Sequence, residues 1–143
     1  MALKNGFACR NLFVVIHPEI QPTELDVLSR TAPSYVVVRI ATHPRTPRST
    51  LSRLAQSVNA DVRCAVSENP NTPEDVLWLL ARDADADVRY SVAENHNIKD
   101  DVLTALSADE NPYVAARAQR TLQRVSGTDF APAANADQRF AFA

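Results

Sequence analysis

Residues 62–87 read VRCAVSENPNTPEDVLWLLARDADAD, and residues 88–113 repeat them without a gap. Eleven positions are identical: Val62/Val88, Arg63/Arg89, Val66/Val92, Glu68/Glu94, Asn69/Asn95, Asn71/Asn97, Asp75/Asp101, Val76/Val102, Leu77/Leu103, Leu80/Leu106 and Asp83/Asp109. Chance would match about one or two, and self-similarity at a fixed spacing in this range marks stacked repeats. One step back, residues 36–61 place Pro44, Thr46, Pro47, Leu51, Leu54 and Ala55 under Pro70, Thr72, Pro73, Leu77, Leu80 and Ala81. A further step gives a degenerate copy at residues 10–35, in which His17, Pro18, Leu25 and Leu28 fall under His43, Pro44, Leu51 and Leu54. Beyond Val114 the match fades, as expected of a terminal cap with one face in water.

Each unit predicts two short helices. Val62 to Glu68 places Val62, Ala65 and Val66 on one face and stops at Asn69-Pro70, because proline cannot continue a helix and restricts the residue before it. The second helix is expected to start at Thr72 as N-cap with Pro73 at N1. Glu74 and Asp75 then fall in the first turn, where the helix dipole favours anions. Val76, Leu77 and Leu80 form its inward stripe. Helices this short are unstable alone in water, so stacking must hold them. The expected fold is all-α, with about four two-helix units (10–35, 36–61, 62–87 and 88–113) and a C-terminal helix within 114–127. Together 1–127 form the repeat domain. The apolar run Leu12 to Ile16 is read as helix by register, and Leu3 and Phe7 are available to cover the first unit.

VRCAVSENPNTPEDVLWLL resembles the repeat of the leucine-rich repeat variant family, approximately V-R-x-x-V-A-x-N-P-x-T-P-x-x-x-L-x-x-L. Val62, Arg63, Val66, Asn69, Pro70, Thr72, Pro73, Leu77 and Leu80 carry the match. The resemblance implies a right-handed solenoid of paired helices, one α and one often 3₁₀, related in shape to HEAT repeats and acting as a binding scaffold. In its best-known form the family holds an iron–sulfur cluster on a cysteine-rich N-terminal segment. Only Cys9 stands there in this chain, so four thiolate ligands are lacking and no cofactor is expected.

The 143 residues are one domain's worth, able to bury roughly two-thirds of the unfolded surface. Two glycines against nine prolines suit helices broken by proline turns. No apolar run approaches the ~20 residues that span a bilayer, and Met1 to Leu12 lacks a signal peptide's basic start and apolar stretch, so no membrane contact and a cytoplasmic location are expected. Cys9 and Cys64 are read as reduced thiols. The net charge of −2 conceals a segregation. Residues 1–57 carry seven basic and three acidic side chains, residues 58–110 four and twelve, and residues 111–143 four and two. An acidic middle lies between basic ends, a distribution that steers charged partners.

Asp83, Asp85 and Asp87 with Glu94 imitate a calcium loop, but Val88 replaces the required glycine. They are read as helix caps and partners of Arg63 and Arg89 in a ladder. His17 and His43 take positions held later by Asn69 and Asn95, which predicts side chains satisfying loop backbone groups. Trp78 stands where sister units have Ser52 and Thr104, either as an exposed anchor or packed against Arg82. Arg48 opposes the dipole at a helix start and joins Arg39, Arg45, Arg53 and His43 in a basic cluster; Arg117, Arg120 and Arg124 share one face of the last helix. Ser126-Gly127 is a plausible helix stop, and 128–143 is expected to be a tail carrying Phe130, Phe140 and Phe142.

No phosphate loop, nucleophile elbow or metal-ligand spacing is present, so no enzyme activity and no metal are expected. The expectation is a protein-interaction scaffold contacting another protein through Arg39, Arg45, Arg48, Arg53, Trp78, Tyr90, Phe140 and Phe142, with a homodimer through the tail as one form. The alternative is nucleic-acid binding through the arginine cluster and Arg117, Arg120 and Arg124.

Overall fold

A computed structural model describes residues 14–127. Among them the chain is all-helical, with eight helices and no strand, consistent with a helical repeat. A helical turn at Val14 and Val15 leads through a turn to α1 (Pro22–Thr31). Three helices of nine residues follow at a constant step: α2 (Ser34–Thr42), α4 (Ala60–Glu68) and α6 (Ala86–Glu94). Helices of seven residues alternate with them: α3 (Arg48–Leu54), α5 (Glu74–Leu80) and α7 (Asp100–Leu106). The chain then enters α8 (Pro112–Val125). Starts at Ser34, Ala60, Ala86 and Pro112, and at Arg48, Glu74 and Asp100, all lie 26 residues apart.

The helices form two layers. In one, α2, α4, α6 and α8 each pack against the next; in the other, α5 lies against α4 and α6, and α7 against α6 and α8. The apolar stripe read from the sequence fills the space between them. Val62, Val66, Leu77 and Leu80 are buried together with their counterparts Val88, Val92, Leu103 and Leu106. Each such side chain contributes about 1.5–3 kcal/mol on burial, which is what lets helices of two turns persist. At the far end α8 buries Val114, Ala118 and Thr121 and leaves Arg120, Gln123 and Arg124 in water. A helix with one wet face closes the stack.

Local details depart from expectation in three places. The helix α4 begins at Ala60, two residues before Val62, because the Asn59 side chain accepts from the Asp61 amide and starts it there. Asp85 and Asn111 do the same for α6 and α8. Thr72 is not the N-cap of α5. Its hydroxyl donates to the buried Val66 carbonyl at 2.6 Å, and Pro73 takes the cap position without a side-chain bond. A buried carbonyl at the end of α4 needs a partner more than the solvent-facing start of α5 does. The shorter helix of each pair is α rather than 3₁₀, with bonds such as Leu77 N–H to Pro73 O and Ala81 N–H to Leu77 O spanning four residues.

The recurring arginines are structural. Arg63 grips Asp83 through two bonds, Nε to Oδ2 at 2.7 Å and Nη2 to Oδ1 at 3.0 Å, and its Nη1 donates to Ser57 O at 2.7 Å in the preceding unit. Arg89 repeats this on Asp109 at 2.8 and 3.1 Å and on Asp83 O at 2.8 Å. The ladder therefore runs between units. Burial works to raise the Asp83 and Asp109 carboxyls, but the arginine bonds and the amides of Asp85 and Asn111 outweigh it and hold both below the usual carboxylate range. A depressed folded pKa gives stability that is present above the unfolded value and is lost as pH falls through the folded one. Urea melts from pH 7 to pH 3 should show a loss of stability below about pH 4 that Asp109→Asn reduces. Arg89→Ala should cost about 3 kcal/mol at pH 7, since it strands a nearly buried carboxylate.

Candidate interaction surfaces

The proposed contact residues do not share one surface. Arg39 and Tyr90 lie on α2 and α6 in the first layer, Arg48, Arg53 and Trp78 on α3 and α5 in the second, and Arg45 in the loop between α2 and α3. Phe140 and Phe142, together with Phe130, Cys9, Leu3 and Phe7, lie outside the described residues, as does the expected tail-mediated dimer.

Two of the four arginines in the cluster are engaged in holding the first units together. Arg53 donates to Asp26 Oδ1 at 3.0 Å and to Ser29 Oγ at 2.6 Å, and Thr50 donates to the same carboxylate oxygen at 2.7 Å. The Thr50 and Arg53 bonds hold the Asp26 carboxyl below its ordinary value. Arg45 donates to the carbonyls of Pro18 and Ile20 at 3.4 Å and lies 3.8 Å from Glu19. Arg39 and Arg48 are exposed and make no ion pair among the described residues. At the other end Arg117 turns toward α6, pairing with Glu94 at 3.1 Å and lying 6.0 Å from the Tyr90 ring. Arg120 and Arg124 remain exposed. Trp78 is half-buried against the core with the Arg82 guanidinium 5.3 Å above its ring, the packed arrangement rather than a bare anchor. Beside it Leu79 is 52% exposed.

The histidines take over the acceptor role of asparagine in their loops. Asn69 accepts the Asn71 amide at 2.9 Å through Oδ1, and its Nδ2 donates to Ala41 O at 2.6 Å and His43 O at 2.9 Å in the preceding unit. Asn95 accepts the Asn97 amide and donates to Ser67 O in the same manner. His43 accepts the Arg45 amide at 3.1 Å on Nδ1 and hydrogen-bonds the His17 backbone, while His17 accepts the Glu19 amide at 3.3 Å. An Nδ1 that accepts must be unprotonated. Burial pushes the His43 pKa down, the His17 bond opposes this, and nearby Arg45 adds to the depression.

Sequence reasoning did not single out the outward face of the first layer. Asp61, Cys64 and Glu68 stand on it in α4, and Asp87, Tyr90 and Glu94 at the same positions in α6. Tyr35 and Tyr113, the latter 77% exposed, occupy the matching places in α2 and α8. The signal was present as the acidic block of residues 58–110, but which of those acids face one way is visible only once helix phase is known.

The family model for the leucine rich repeat variant matches residues 60–85, so the chain carries a repeat of the family that its residues resemble. Neither curated proteins nor solved structures give a match. The matched stretch covers α4, α5 and the ladder residues Arg63 and Asp83, the parts that recur.

His43→Asn should melt within about 1 kcal/mol of the parent at pH 7, whereas His43→Ala removes the side-chain acceptor of the exposed Arg45 amide and should cost about 0.5–1.5 kcal/mol. The His43 pKa is lowered on folding, so its stability is present above about pH 6.5 and is lost as pH falls through the folded value. Paired thermal melts at pH 7.5 and pH 5.5 should therefore show a smaller drop for His43→Asn than for the parent.

Proposed function

We propose that this protein is a non-enzymatic interaction scaffold, a right-handed helical solenoid of about four units that presents a surface to another protein. The observation that carries the reading is how the repeated and unrepeated residues divide. Recessed repeated polar residues are consumed internally, Arg63 and Arg89 by carboxylates and carbonyls and Asn69 and Asn95 by the preceding loop, whereas the repeated Glu68/Glu94 and Asp75/Asp101 stay exposed. What varies between units stands outside, as in Asp61, Asp87 and Tyr113 on one layer and Leu79 and Arg48 on the other. Constant positions build the stack and variable ones are free to meet a partner. Fold alone does not assign function, so the weight rests on this division and on the repeat-family match.

The nucleic-acid alternative draws less support. Arg45 and Arg53 are engaged within the first units and Arg117 with Glu94, which leaves Arg39, Arg48, Arg120 and Arg124 as exposed cations on separate parts of the surface.

Affinity capture with the purified full chain from a lysate of its source, at near-physiological and raised salt, decides between them. The expected result is a protein retained at both salts and unaffected by nuclease. Nuclease-sensitive recovery lost at raised salt, and abolished by Arg48→Ala with Arg120→Ala and Arg124→Ala, would overturn the scaffold reading, because phosphate contacts release counterions.

A further inference from the structure

We infer that the outward face of the α2–α4–α6–α8 layer is a trough that takes an extended, arginine- or lysine-bearing segment of a partner protein. This rests on the scaffold reading above and names its partner's chemistry. The floor is a row of corresponding positions, Val38, Cys64, Tyr90 and Ala116, of which the first three are half-buried against the core. Helices in contact lie about 8–10 Å apart, so the row runs for roughly 25–30 Å. An extended chain covers that distance in about eight or nine residues.

The rims are acidic. Asp61 and Asp87 stand at the N-terminal edge of the face and Glu68 and Glu94 at the C-terminal edge, all exposed. Glu94 is paired with Arg117, but Asp61, Glu68 and Asp87 make no ion pair among the described residues. Their fields converge on the floor. Burial pushes the Cys64 thiol up, and Asp85, Asp61, Asp87 and Glu68 push it further, to about 11.

Two features distinguish this face from ordinary solvated acids. Glu68 and Glu94 end α4 and α6, where the helix dipole disfavours an anion, and among the described residues Glu68 has no cation to offset it. A carboxylate held against its local preference points to a use elsewhere. The second feature is a groove of about 330 Å³ between α6 and α8, bordered by Asp87, Tyr90 and Tyr113. Tyr90 already has the Arg117 guanidinium 6.0 Å from its ring, and the exposed Tyr113 beside Asp87 suits a further guanidinium or ammonium group. The starts of α6 and α8 each contribute only about half a positive charge, which Asp85 and Asp87 outweigh.

The test uses the full chain carrying Cys9→Ser, so that Cys64 is its one thiol, and a fluorescent decapeptide alternating Arg and Ala, with a Glu/Ala peptide as control. Anisotropy should show saturable binding of the Arg peptide alone, and bound peptide should slow Cys64 labelling by a thiol reagent several-fold. Asp61→Asn, Glu68→Gln and Asp87→Asn together should weaken binding at least tenfold with an unchanged helical melt. Tyr113→Ala, which leaves the charge intact, should weaken it several-fold. No binding, full binding by the triple variant, an unchanged labelling rate or an unaffected Tyr113→Ala variant would each overturn the inference. So would self-association abolished by the triple substitution, since the occupant would then be a second copy. If a captured protein partner is held equally by parent and triple variant, the scaffold reading stands and this face is not its site.

Discussion

The amide of Asn69 is the group on which the stacking geometry depends most directly. Helices of nine and seven residues expose as many unpaired carbonyls as they bond, and those facing the next unit are cut off from water. Asn69 is 2% exposed and has every polar atom used: Oδ1 closes its own loop, and both carbonyls reached by Nδ2 belong to the preceding unit. One side chain thus fixes a turn and the register between neighbours. Apolar contacts supply more energy, yet they are tolerant of sliding. The directional bonds of Asn69, with the forked grip of Arg63 on Asp83, make one spacing better than others.

This explains why the same column accepts His43 and His17. Imidazole, like the amide, offers an acceptor to the amide two residues on, so the loop retains its closure. The substitution adds one property that asparagine lacks, since protonation removes the acceptor. The loop closed by His43 is in this sense sensitive to pH.

Much of the architecture was legible because repetition reports burial independently of composition. Val62/Val88 and Leu80/Leu106 are identical and buried, and Arg63/Arg89 are identical and paired, so recurrence marked the core and the ladder, although the equally recurrent Glu68/Glu94 and Asp75/Asp101 are exposed. Helix starts were less legible. Thr72-Pro73-Glu74 has the composition of an N-cap motif, yet the threonine turned to the carbonyl of Val66, a choice set by tertiary burial and not by local sequence. The arginine cluster shows the same limit. Arg45 and Arg53 are close in sequence to Arg39 and Arg48, but their partners, Pro18, Ile20 and Asp26, lie more than twenty residues away and could not be paired with them from spacing.

The acidic block of the middle units divides by the same principle. Asp83 and Asp109 are recessed and bound to arginine, Asp85 caps a helix, and Glu74 meets Lys99 at 2.7 Å across units. These have structural work. Asp61, Glu68 and Asp87 pair with no cation among the described residues, and mutual repulsion between exposed carboxylates on adjacent helices makes their common face less stable than a mixed-charge one. Stacking energy supplied by the core and ladder is what lets such a face persist. A repeat fold separates the two demands: residues pointing between units secure the stack, and residues pointing away are free to carry charge that the stack itself does not neutralise.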